Sequence, residues 1–191
     1  MSGILIRNLY LYLLMLVLAV IEIQIEGQNG WAVNLPTWKV KEGSWFDRLY
    51  KKIMSGKIAT GYHLAVFTFV LMILHLPFVF SFSWRWWSEL EVLSLFFLFI
   101  VFWDFLWFIL NPHYGLKKFK AVEIWWHNQW LGPWPLDYYW GVIISFLIYV
   151  PVMYVDFNAL KQWFQTFITY IILTAIIIFV IEVYKMFKKT V

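Results

Sequence analysis

The chain has 191 residues, a net charge of +4, 63% hydrophobic, 23% aromatic and 14% charged residues, and no cysteine. So little polar surface cannot cover a soluble globule of this size, which excludes an ordinary water-soluble domain. The absence of cysteine excludes disulfides, thiolate metal ligands and a cysteine nucleophile, so any metal must be held by imidazole, carboxylate or carbonyl groups.

The first apolar stretch runs from Gly3 to Ile23. At a rise of about 1.5 Å per residue, roughly twenty residues cross a hydrocarbon core of about 30 Å. The stretch passes straight into Glu22-Ile23-Gln24-Ile25-Glu26 with no small-residue cleavage pattern, so it is expected to be a retained anchor. Residues 27 to 60 follow as the longest polar segment, with turn chemistry at Asn29-Gly30 and Leu35-Pro36-Thr37. Within it Trp45, Leu49 and Ile53 recur at helical spacing beside Lys51 and Lys52, which predicts a short helix lying in the membrane interface.

Four further apolar stretches run from Gly61 to Phe82, Val92 to Leu110, Tyr138 to Val155 and Phe164 to Val183. Pro77 and Pro151 interrupt two of them and are expected to kink their helices. The predicted fold is an all-α membrane protein: a polytopic bundle of five transmembrane helices, forming one integral membrane domain over residues 1–191, with a short interfacial helix in a cytoplasmic loop. No repeat, heptad or low-complexity tract is present.

Basic residues predict the orientation. With five spans, residues 26–60, residues 111–137 and the C-terminal tail share one side and carry Lys39, Lys41, Arg48, Lys51, Lys52, Lys57, Lys117, Lys118, Lys120, Lys185, Lys188 and Lys189. Arg7, Arg85 and Lys161 are on the other. The positive-inside rule then puts the chain in the cell membrane with its N-terminus outside and its C-terminus in the cytoplasm. Basic loops beside anionic headgroups account for the net charge without a nucleic-acid partner.

Ionisable residues within the apolar stretches carry the most functional information, because a charge at the centre of a span costs about 2.5–3.5 kcal/mol even on the lenient insertion scale. Asp104 lies inside the third span, roughly 9 Å from its end by helix rise. Asn111 follows two turns later on nearly the same face, beside Trp107. Glu22 and Glu26 are one helical turn apart, where like charges repel unless a cation, a basic partner or a shared proton intervenes. His63 lies one turn into the second span, His75 about 18 Å deeper, His113 after the third span, and His127 in a Trp-rich segment. If Ala121 to Leu131 is helical, Glu123 and His127 face the same way.

The predicted orientation gathers these groups, except His75, toward one leaflet. Asp104 and His127 are the candidate catalytic residues; Glu22, Glu26, His63 and His127 are candidate ligands for a divalent metal, with Zn, Mn or Fe suited to mixed imidazole and carboxylate donors. Asn111, Trp107, Trp126 and Trp130 are candidate ligand-binding residues, the tryptophans forming an aromatic platform with Gly132-Pro133-Trp134-Pro135 behind it. Phosphate-binding loops, hydrolase elbows and His-Glu-x-x-His zinc helices are absent from the sequence. Three functions fit: a polar site near the cytoplasmic leaflet acting on or binding a lipid-like amphipathic molecule, a small proton- or ion-coupled transporter using Asp104, and a non-catalytic assembly subunit.

Overall fold

Hydrocarbon offers no partners to backbone N–H and C=O groups, so a chain this apolar satisfies them within helices. A computed structural model describes residues 2–80 and 83–189; the expected end of the second span at Phe82 lies outside them. The chain is an all-α membrane bundle of helices α1 (Ser2–Glu26), α2 (Trp45–Ile53), α3 (Gly61–Phe80), α4 (Trp86–Leu110), α5 (Leu136–Tyr149) and α6 (Ala159–Lys189). All but α2 are long and apolar enough to cross a membrane, α5 together with the 3-10 turn Val150–Tyr154 that continues it. Strands β1 (Trp130–Leu131) and β2 (Trp134–Pro135) pair as a two-residue antiparallel hairpin before α5.

Local chemistry sets the helix ends. α1 stops where Gly27 takes a positive φ of 63° and its N–H bonds back to Ile23. Ser44 and Asp47 cap α2: Ser44 Oγ accepts the Asp47 N–H at 3.1 Å and Asp47 accepts the Gly43 N–H at 2.8 Å. The Gly43 amide, followed by Lys51, holds the Asp47 carboxyl below the usual range. Trp45, Leu49 and Ile53 are exposed on one side of α2, as the expected interfacial helix requires.

Two expectations need correction. The fourth span is not one kinked helix: Pro151 removes a donor and crowds the preceding turn, so α5 ends at Tyr149 and tightens into the 3-10 turn. Pro77, in contrast, is accommodated inside α3. The segment Ala121 to Leu131 forms turns leading into β1, not a helix. Glu123 there is exposed and pairs with Lys120 at 3.7 Å, whereas His127 is buried. The third and fifth spans also extend beyond their apolar runs, because α4 takes in Glu89 and Glu91 at its start and α6 takes in flanking polar residues at both ends.

α4 is the centre of the bundle and packs against α1, α3, α5 and α6. Buried hydroxyls tie the outer helices together: Tyr12 donates to Thr174 Oγ1 at 2.9 Å, and Ser145 Oγ meets Ser94 Oγ at 2.9 Å and accepts the Trp163 N–H at 3.0 Å. Such interhelical bonds average about 0.6 kcal/mol in lipid, so close packing carries more of the association. The tightest approach is at Gly141 of α5, where an added Cβ would lie 2.4 Å from Val101 Cγ2 of α4. Gly141→Ala is expected to destabilise the protein by about 1–3 kcal/mol. Thermal unfolding in detergent should show the loss, with Val101→Ala restoring most of it in the double variant.

Candidate functional site

The loop after α1 folds back onto the helix that it leaves. Trp31 and Ala32 adopt left-handed φ values of 46° and 50°, which aims the Ala32 N–H at Glu26 Oε1, 2.5 Å away. An unusual backbone held this way is a feature that clusters at ligand sites. Gly30 must lack a side chain, since a Cβ would stand 2.5 Å from the Trp126 ring and its φ is +63°. Thr60, just before α3, accepts the His63 N–H at 3.2 Å and meets His63 Nδ1 at 2.7 Å, fixing the ring through its second nitrogen. Trp31 stacks on that ring at 3.9 Å.

These contacts bring Glu22, Glu26 and His63 together, with one donor atom from each lying within 4.8 Å of the others. His63 Nε2 is 3.5 Å from Glu26 Oε1. Glu22 is 8% exposed, borders the cavity beside this group and, among the described residues, has no hydrogen-bond partner.

A second polar group faces the same cavity, which has a volume of about 240 Å³. His127 is clamped between two carboxylates, with Nε2 3.2 Å from Asp104 Oδ2 and Nδ1 3.1 Å from Asp137 Oδ1. Tyr138 donates to Asp104 Oδ2 at 2.5 Å, and Lys57 Nζ lies 2.8 Å from Asp137 Oδ2. Lys57 also sits over the Trp31 ring at 4.6 Å, so one buried cation bridges the two groups. Both bonds to Asp104 land on Oδ2; Oδ1 has none among the described residues, and the side chain is 24% exposed.

Away from this polar base the cavity is apolar, with Phe96, Phe97 and Ile100 of α4 facing Trp140 and Ile144 of α5. Phe96 precedes Asp104 by eight residues, so the apolar part extends about 12 Å along α4 toward the middle of the span. Tyr50 borders the polar part, and burial pushes its hydroxyl up to about 12, which keeps it a donor. The Tyr50 hydroxyl and the indole N–H groups of Trp103 and Trp107 are buried without partners, and all three residues border the cavity. These three donors are enclosed by surrounding side chains and do not open into the cavity, so its polar face is formed by the carboxylates, His63 and Lys57.

Of the residues singled out in the sequence, Glu22, Glu26, His63, Asp104, Trp107 and Trp126 border the cavity. His127 belongs to the Asp104 group; with a carboxylate at each ring nitrogen, it has no free nitrogen to join Glu22, Glu26 and His63 as a metal ligand. Asn111 is buried away from the cavity, where its Nδ2 donates to the Gly27 carbonyl and its Oδ1 accepts the His113 N–H, so it ties loops together. Trp130 donates to the His127 carbonyl at 2.7 Å and supports the histidine from behind. His75 pairs with Glu89 at 3.1 Å in a separate cluster with Trp84. Lys57, Asp137, Tyr138 and Tyr50 were not anticipated.

Comparison with protein-family models, with curated proteins and with solved structures finds no match.

Lys57 is 4% exposed, so removing its charge strands Asp137 in a poorly hydrated place. Lys57→Met should cost about 3–5 kcal/mol. Adding Asp137→Asn should recover part of that loss in chemical unfolding, a negative coupling that independent sites would not give.

Proposed function

We propose that this multi-pass membrane protein holds a divalent cation on Glu22, Glu26 and His63 and presents it to the head of a lipid-like amphipathic molecule, with Asp104 as the acid–base group. The observation that carries the reading is the convergence of three donor atoms within 4.8 Å, one of them on a buried carboxylate with no hydrogen-bond partner among the described residues. Two carboxylates and an imidazole suit Zn, Mn or Fe.

Charge balance supports it. Glu22, Glu26, Asp104 and Asp137 border one cavity with Lys57. Four carboxylates against one lysine leave an excess of acidic groups that a divalent ion would offset. The polar base and the 12 Å apolar extension together match an amphipathic molecule whose chain lies along α4 and whose head reaches Asp104.

When bound, the metal supplies Lewis acidity to an oxygen of the head group. Asp104 Oδ1 is the free carboxylate oxygen at the cavity, and Tyr138 and His127 hold Oδ2 so that Oδ1 stays aimed there. Asp137 and Lys57 fix His127 from the far side. By the distribution of Lys and Arg, this end of the bundle faces the cytoplasm in a cell membrane.

Protein purified in detergent, loaded separately with Mn²⁺, Zn²⁺ or Fe²⁺ and desalted, should retain one metal per chain by mass spectrometry. Glu22→Gln and His63→Gln should lose it, and Thr60→Val, which removes the partner of His63 Nδ1, should weaken it about 10–100-fold. Wild-type protein that retains no metal, or retention unchanged by both ligand substitutions, would overturn the assignment.

A further inference from the structure

A second, larger cavity of about 520 Å³ opens on the other side of the α4–α5 contact, lined by α4, α5 and α6. Phe102, Phe105, Val142, Phe167, Ile171 and Ala175 supply much of its wall. Three hydroxyl groups border it, and each already donates elsewhere. Tyr138 bonds to Asp104, Tyr139 to the Leu131 carbonyl at 2.9 Å, and Thr174 to the Tyr170 carbonyl at 2.7 Å while accepting from Tyr12. This cavity therefore differs in kind from the polar one: no hydroxyl donor waits for a partner, and an occupant gains only apolar contact.

Location narrows the occupant further. The walls belong to membrane-spanning helices, so the medium that meets them is hydrocarbon. At one end the groove reaches Trp134 and Leu116 in the segment joining α4 to α5, at the depth where an aromatic ring meets headgroups. Leu116 opens a 3-10 turn that continues with Lys117 and Lys118, both exposed. A lipid whose chain enters the groove carries its head to this basic rim, where an anionic head is favoured.

We infer that this groove binds one hydrocarbon chain of an anionic bilayer lipid, with the headgroup beside Lys117 and Lys118. Tyr138 and Val101 border both cavities, so the bound chain lies one side chain away from the Asp104 group. The inference stands on the apolar groove and the basic rim and does not require the metal site.

The test uses the full chain in phosphatidylcholine nanodiscs containing a small fraction of phosphatidylglycerol with a diazirine in one acyl chain. After irradiation, peptide mapping should place adducts on the groove faces of α5 and α6. Ala175→Trp, which fills the groove, should lower labelling several-fold, whereas Ile176→Trp, at the neighbouring exposed position, should not. Replacing Lys117 and Lys118 with Gln should reduce labelling by the phosphatidylglycerol probe and leave that by a phosphatidylcholine probe with the same chain unchanged. Glu22→Gln should leave labelling intact, so failure of the metal assignment and failure of this one give different results. Labels spread evenly over the lipid-facing residues of α6, or equal losses in Ala175→Trp and Ile176→Trp, would overturn it. Equal losses of both probes in the lysine variant would overturn the anionic specificity.

Discussion

Compensating charge where water is scarce is the constraint on which the rest of this structure depends. Taking one ion from water into a low-dielectric interior costs several kcal/mol even after relaxation. The end of the bundle that holds the long loops gathers four carboxylates around one cavity. Lys57 is drawn out of a polar loop to meet them, and the loop bends to deliver it. Its neighbours follow from that demand. Trp31 lies between Lys57 and His63, Trp31 and Ala32 take left-handed backbone, and Gly30 makes room for Trp126. Asn111 and Tyr114 fasten the start of the same loop by bonding to the Gly27 and Gln28 carbonyls.

Apolar length made the spans legible in the sequence, because a helix that must cross hydrocarbon leaves the same signature wherever it packs. The short helix from Trp45 to Ile53 was equally legible, its three apolar residues recurring on one face of an otherwise polar stretch. Costly charge marked Asp104, Glu22 and Glu26, and depth along the helix separated His63 from His75. Lys57 stayed hidden because a lysine in a basic loop looks like any other lysine that obeys the positive-inside rule. Asp137 directly precedes the expected fourth span and Tyr138 opens it, so neither position carries a local mark of a site. Their meaning lies in contacts with residues such as Asp104 and His127, across sequence separations that no local pattern encodes.

The failed helix between Ala121 and Leu131 shows the limit of spacing arguments. Glu123 and His127 stand one helical turn apart in sequence, yet nothing holds that turn. Gly132, Pro133 and Pro135 favour the hairpin that follows, and the aromatic rings gain more by packing around Phe108 than along a helix face. Trp126 stacks on Phe108, and His127 turns inward to the two aspartates. Tertiary packing thus overrode local spacing at the segment that carries the histidine.

The two ends of the bundle differ in what they leave unbalanced. At the far end His75 and Glu89 neutralise one another across α3 and α4, and Trp84 takes a remaining carboxylate lone pair, so the cluster is complete in itself. At the near end the geometry of His63 admits two fillings. If Thr60 donates to Nδ1, the Nε2 proton points at Glu26, 3.5 Å away. If Nδ1–H donates to Thr60, Nε2 turns a lone pair toward Glu26, which suits either a carboxyl proton or a cation between them. The two arrangements differ in which ring nitrogen of His63 carries the proton, and the Thr60 hydroxyl can serve either as donor or as acceptor.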